Sequence, residues 1–203
     1  MHADPSDPAT SHAGPRPSGR GRRRAREAPP DGEIDLGPHA DVESFARQIL
    51  LRRLTDQPRT RADLAEQLAS RGVPDDVAVR LLDRFTAVGL IDDAEYARSW
   101  ARSRQRSRGL SGRVIAQELR RKGVDDELVR ETVAEEIDAD SEREAARALV
   151  RKKLRSMRGV EEPKRTQRLV GMLARKGYGS GVAYGVIREE IGAEAELDAL
   201  DSL

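Results

Sequence analysis

The 203-residue chain has no cysteine, which excludes a disulfide framework, a thiolate zinc site and a cysteine nucleophile, and fits a reducing compartment, read here as the cytoplasm. Histidine is almost as scarce. His2, His12 and His39 all precede residue 40, so acid–base or metal chemistry in the rest of the chain falls to carboxylates, Lys or Tyr. Neither an enzyme, a cofactor nor a bound metal is expected. The longest apolar stretch, Gly181 to Ile187, is far short of the ~18 residues that cross a bilayer, and no apolar core of a secretory signal opens the chain. Aromatic residues are 3% and hydrophobic residues 37%, which permits a core but a lean one.

Charge is what the chain has in abundance. Charged residues make up 36% of it, against about 25% in an average globular domain, yet 37 basic residues against 36 acidic ones leave a net charge of only +1. Five of the basic residues are Lys and 32 are Arg. That preference suits bidentate contacts to phosphate or carboxylate, and a GC-rich genome produces the same bias.

Residues 1–40 hold most of the prolines and a basic run, Arg20, Arg22, Arg23, Arg24 and Arg26. This composition reads as a disordered basic, Pro-rich arm, either a non-specific nucleic-acid tether or a solvated leader. From Asp41 the pattern becomes apolar at i, i+3 and i+4, which predicts helices throughout. They are expected over about 41–55, 61–71, 75–88, 93–108, from Ser111, from Asp125, from Ser141, over 162–176 and over 180–191, with a frayed acidic tail at 193–203.

The nine helices repeat in threes. Leu68 to Val73, Leu119 to Val124 and Leu173 to Tyr178 each form a helix end closed by a glycine, Gly72, Gly123 or Gly177, while Ala46-Arg47, Ala97-Arg98 and Ala146-Arg147 mark the matching first helices. The expected fold is all-α, an elongated curved array of three tandem three-helix repeats at 41–91, 92–138 and 139–192, the third with a longer loop near Arg158 to Glu162. Each repeat looks too small to bury its apolar faces alone, so neighbours are expected to stack into a shared body. Asp75-Asp76, Asp92-Asp93 and Asp125-Asp126 read as helix caps rather than a metal or catalytic pair. The glycine-rich stretch Gly177 to Gly181 follows a helix and lacks the Lys-Ser/Thr of a P-loop, so it reads as a turn.

Resolved by position, the neutral total is a sum of opposed blocks. Residues 98–122 carry Arg98, Arg102, Arg104, Arg106, Arg108, Arg113, Arg120, Arg121 and Lys122 against one acid, a local charge of +8; residues 124–144 sum to −8 and residues 147–176 to +9. Arg98, Arg102 and Arg106 fall at i, i+4 and i+8 on one helix face, with Tyr96, Ala97, Trp100 and Ala101 opposite. The second block offers Arg151, Lys152, Arg155, Arg165 and Arg168. Two readings stand: a surface for nucleic acid or an acidic partner, and solvated helix faces laced with ion pairs. Trp100, the only tryptophan, is either a core anchor or a stacking platform.

The stretch Gly89-Leu90-Ile91-Asp92-Asp93-Ala94-Glu95-Tyr96-Ala97, followed by a basic helix, Gly109 and Leu119-Arg120-Arg121-Lys122-Gly123-Val124, resembles the RecX family of recombination regulators over roughly 42–192. The resemblance makes Asp92, Asp93, Tyr96 and the three glycine stops structural motif residues. It implies a non-enzymatic protein, without cofactor or membrane attachment and expected as a monomer, that binds the RecA recombinase as its filament on single-stranded DNA, with duplex DNA a further possible ligand. Such a protein inhibits filament growth, ATP hydrolysis and strand exchange. The alternative is a general helical DNA- or RNA-binding protein that acts independently of RecA. All fourteen basic positions, Arg98 to Lys122 and Arg151 to Arg168 as named, are the expected contact residues.

Overall fold

The computed structural model describes residues 42–200, so the arm expected at 1–40 lies outside it. The described residues form nine helices and no strand: α1 Val42–Asp56, α2 Arg61–Ala69, α3 Asp75–Ala87, α4 Asp93–Arg108, α5 Gly112–Arg121, α6 Asp126–Glu136, α7 Ala139–Leu154, α8 Glu162–Arg175 and α9 Ser180–Leu200. Packing follows the repeats: α1, α2 and α3 contact one another, as do α4, α5 and α6, and α7, α8 and α9.

Contrary to the expectation of stacked faces, each repeat encloses a core of its own. Leu50, Leu64, Leu68 and Leu81 centre the first, Ile115, Leu119 and Val129 the second, and Val150, Leu169, Leu173 and Ile187 the third. Small residues explain how so little sequence suffices. Ala46, Ala97 and Ala146 are fully buried at matching positions, which lets the first helix of each repeat approach its neighbours closely enough for a few Leu and Ile to close the interior.

Most predicted starts and stops hold. Thr60 and Asp92 cap α2 and α4, accepting from the N–H of Asp63 and Glu95 respectively, and Asp125 caps α6 through the N–H groups of Glu127 and Leu128. Three details differ. The cap of α7 is Asp138, not Ser141, whose N–H it binds at 2.6 Å; Asp138 is three residues ahead of Ser141, and accepting that N–H holds its carboxyl below the usual carboxylate range. Asp75 caps nothing, because Pro74 precedes α3 with no side-chain bond, while Asp76 turns to Arg80 at 2.7 Å. Finally, α9 does not end near 191 but runs on to Leu200, anchored where Glu194 pairs with Arg165 of α8.

The three glycine stops are the same motif. In each, the residue after glycine donates to the carbonyl five residues back, Val73 to Leu68, Val124 to Leu119 and Tyr178 to Leu173, and the glycine takes positive φ (72°, 74° and 93°). Their surroundings differ. A Cβ on Gly72 would meet nothing within 4 Å, whereas one on Gly123 would fall 2.2 Å from the Cβ of Ala62, and one on Gly177 2.3 Å from Val114 Cγ2. The second and third stops therefore press against the second helix of the repeat before them.

Alanine at the three stops tests this. Gly72→Ala should cost about 1 kcal/mol for the left-handed backbone alone; Gly123→Ala and Gly177→Ala should each cost a further ~1–3 kcal/mol of overpacking. Denaturant titration reads the difference, and three equal losses would contradict the tight approach.

Candidate nucleic-acid and partner interface

Polar bonds complete both junctions. At the first, Thr60 donates its hydroxyl to the carbonyl of Lys122 at 2.7 Å, and Asp93 accepts the exposed N–H of Arg61 at 2.8 Å. Asp93, expected to serve its own helix, thus caps the start of α2 in the preceding repeat, and burial pushes its carboxyl upward. At the second, the N–H of Ser111 donates to the carbonyl of Lys176 at 3.0 Å and the N–H of Gly112 to Glu142 at 3.0 Å. Glu142 occupies in α7 the place of Asp93 in α4, so both junctions share one design. The second adds Tyr178, whose hydroxyl donates to the Gly109 carbonyl at 3.1 Å, and Lys176, whose Nζ donates to the Arg108 carbonyl at 2.7 Å.

The charge blocks meet one another instead of forming separate faces. Arg98 pairs with Glu95 at 3.2 Å; Arg102 pairs with Glu95 at 3.2 Å and reaches Glu136 of α6 at 3.0 Å. The same network recurs in the third repeat, where Arg147 and Arg151 share Glu144 and Arg151 grips Glu190 of α9 through two bonds of 2.7 and 3.0 Å. In the first repeat Leu51 and Phe85 stand where Arg102 and Glu136 do, so no ion pair joins the first and third helices at those positions. Arg104 lies 3.1 Å from Glu118, Arg120 2.7 Å from Asp126, and Arg165 pairs with Glu194. These partners are 14 to 39 residues apart or on adjoining helices, except within α4 and α7 and at Arg120, so a scan for mixed signs along the chain passes over them.

Of the fourteen basic positions, Arg106, Arg108, Arg113, Arg121, Lys152, Arg155 and Arg168 are exposed and have no side-chain hydrogen bond or ion pair among the described residues. Three of them converge. Arg106 and Arg108 from the end of α4, Lys152 from α7 and Lys176 from the end of α8 line one groove of about 680 Å³ at the second junction, with Glu144 its one acid. Arg113, Arg121, Arg155 and Arg168 lie outside its walls. Lys176 is the member that sequence reasoning counted in a charged run but did not select; the repeat register offered the signal, since it stands where Lys122 stands one repeat earlier.

An equivalent groove of about 640 Å³ marks the first junction, and its chemistry is different. Tyr96 and Trp100 of α4 stack with centroids 5.8 Å apart, Arg104 lies 3.9 Å over Trp100 and Lys122 4.5 Å from it, and the indole N–H donates to Glu118 at 2.9 Å. Trp100 packs against the second core and also lines the groove. It is an anchor whose ring face is already covered by cations. Among the described residues no three acidic or histidine side chains are grouped to hold a metal, and no helix is long and apolar enough to cross a membrane.

Comparison with known proteins agrees with this architecture. Residues 46–85, 92–133 and 140–187 match the first, second and third three-helix domains of RecX. Regulatory protein RecX of Mycolicibacterium smegmatis is 49% identical over 171 residues, 82% of this chain and 90% of that one. Those of Streptomyces coelicolor and Thermobifida fusca are each 46% identical, over 78% and 85% of this chain and 84% and 92% of theirs. The crystal structure of RecX from Lactobacillus salivarius superimposes with a TM-score of 0.68 at 22% identity, over 74% of this chain and 97% of that one. A second RecX crystal structure gives 0.65 at 28% identity, over 74% and 73%. The chain belongs to the RecX family of regulatory proteins, which are not enzymes.

Tyr178 provides a pH test of the second junction. Burial, reinforced by the negative charge of Glu142, pushes its hydroxyl up to about 12 from an ordinary value of 10.0. The folded state therefore holds a proton that the unfolded state has lost, so this contribution is complete below pH 10, and is lost as pH rises toward 12. Tyr178→Phe should cost about 1 kcal/mol near neutrality and flatten the alkaline fall. Urea titrations of both proteins across that range check it; parallel alkaline curves would count against the buried hydroxyl.

Proposed function

We propose that this RecX-family protein regulates the RecA recombinase by binding RecA and its filament on single-stranded DNA, inhibiting filament growth, ATP hydrolysis and strand exchange. It acts as a cytoplasmic monomer and carries out no chemistry itself. Family membership supports RecA as the partner, and the cationic groove at the second junction supports DNA as a second ligand. That groove is the observation on which the DNA contact rests: Arg106, Arg108 and Lys152 are cations with no acid of their own. A phosphodiester passing through meets them without first breaking an ion pair, whereas Arg98 and Arg102 must be pulled from Glu95 and Glu136. Arg113, Arg121, Arg155 and Arg168 extend the positive surface beyond the groove.

Inhibition arises from position. A chain that touches phosphate at one junction and recombinase at another gains affinity from joint engagement, because the second contact forms at the high effective concentration set by the first. Bound in that way it holds a protomer in one relation to its DNA and opposes the rearrangements that growth and turnover require.

Two measurements test the reading. Replacing Arg106, Arg108 and Lys152 by Gln should reduce the salt slope of binding to single-stranded DNA by about two units, at roughly 0.7 per phosphate contact, while Arg98→Gln with Arg102→Gln should lower stability more than slope. Addition of the protein to RecA on single-stranded DNA should inhibit ATP hydrolysis well below one molecule per protomer. Inhibition only when the DNA is saturated would instead indicate a nucleic-acid-binding protein that competes for the strand and ignores RecA.

A further inference from the structure

The two junction grooves are copies of one site that have diverged, and the substitutions run in one direction. In α7, Ala145, Leu149 and Lys152 stand where α4 has Tyr96, Trp100 and Ser103, and at the end of α4 Arg108 stands where the loop after α1 has Gln57. The second groove thus exchanges aromatic rings and neutral polar groups for aliphatic residues and cations. The first keeps its rings and adds Leu54, Pro58 and Leu90 as an apolar wall. Leu90 is 50% exposed. Of the large apolar side chains left in solvent, Val42, Leu51, Val79, Val88 and Leu90 belong to the first repeat and none to the second.

The free charge in the first groove is positive. Lys122 sits over the two rings with no carboxylate partner, while Arg59 and Arg104 are held by Asp63 and Glu118. Its acids are already engaged: Asp92 caps α4 and Glu95 holds Arg98 and Arg102. Nucleic acid fits poorly, because two carboxylates stand on the wall and the face of Trp100 is covered by cations that a nucleobase would have to displace.

We propose that the groove between the α1–α2 loop and α4 is a docking site for a protein segment that presents an apolar side chain beside a carboxylate. The apolar side chain lies against Leu90, Pro58 and Trp100, and the carboxylate meets Lys122. The two junctions then divide the work, the first holding protein and the second phosphate. This rests on the reading above that a protein is one of the ligands, though the site itself is testable without RecA.

Because Trp100 is the only tryptophan, its emission reports on this groove in the intact chain. A synthetic peptide with Leu-Phe pairs flanked by Asp and Glu should shift that emission saturably. Lys122→Gln or Leu90→Ser should each weaken the midpoint about fivefold, the size of effect one exposed charge or apolar contact produces. Leu90 is half-exposed, so Leu90→Ser should keep its circular dichroism and melting curve. Oligothymidylate should leave the emission in place while still binding in a filter assay. The proposal is overturned if the acidic peptide gives no saturable response, if a Lys-flanked peptide binds as well, if both variants bind as the parent does, or if oligothymidylate produces the shift. Its failure is separable from that of the RecA reading: a parent protein that inhibits RecA while the peptide fails loses only this site, and one that binds the peptide but leaves RecA untouched loses only the partner.

Discussion

Everything in the arrangement of the three repeats depends on the seat that the second and third glycine stops, Gly123 and Gly177, take against the start of a helix in the repeat before them. Because a Cβ at Gly123 or Gly177 would overlap the side chain of Ala62 or Val114, the glycine backbone seats directly on those side chains, and the N–H groups that open α2 and α5 come within reach of acceptors from the following repeat. Asp93 and Glu142 supply those acceptors. At each junction these bonds satisfy helix-end donors that would otherwise be orphaned, and small apolar contacts such as Val114 on Gly177 accompany them. Gly72 has the same backbone and no such neighbour, and Arg165, which pairs with Glu194, takes in α8 the place that Thr60 and Ser111 hold in the earlier repeats. The outer repeats therefore lack the matching groups: in the first, Val42 stands where the later repeats place an acid, and in the third, an extra helical turn replaces the Ser/Thr start.

Local rules made the fold legible. The Leu four residues before each glycine, the Asp or Thr at helix starts and the buried Ala of each first helix report on interactions within about five residues, and these place the helices and their grouping. Where the reading failed, the cause lay further along the chain. The expectation of stacked repeats treated a three-helix unit as too small, but Ala97 and Ala101 in α4 give close packing that volume counts alone overlook. Ser141 lost the cap of α7 to Asp138 because both satisfy the spacing rule and only geometry selects between them. Past Gly192 the chain is acidic and weakly periodic, yet a single partner on another helix, Arg165, carries α9 to Leu200.

The candidate site was legible as a kind of surface but not residue by residue. Counting charge along the chain found two basic blocks and an acidic one, but Glu136, Glu144 and Asp126 from the middle block reach Arg102, Arg151 and Arg120 in the outer two. What remains unpaired is the informative subset, and it is invisible until helices are placed beside one another. The regular i, i+4 spacing of Arg98 and Arg102, which made them attractive as a binding face, also places them for a shared glutamate on the same helix. Arg106, the third of the set, lies past the reach of Glu95 and is the one left free.

Separate cores and thin polar joints have a consequence for how such a chain acquires function. In a stacked solenoid a change at the seam between repeats alters the shared core, so groove chemistry and stability are tied together. Here the groove walls hold no residue of the buried cores themselves: Leu54 leans on the first core, Tyr96 and Trp100 on the second and Leu149 on the third, and Lys152 and Arg108 are exposed. Ser103 can become Lys152 one repeat later, or Gln57 become Arg108, at little cost to either repeat. Two copies of one groove were free to diverge, the first toward aromatic and apolar surface and the second toward cationic surface, while the glycine seats held their spacing. The arginines divide in the same way: Arg102 holds α4 to α6, and Arg143, Arg147 and Arg151 hold α7 to α9, while unpaired cations such as Arg106, Arg108 and Lys152 give the grooved surface its sign.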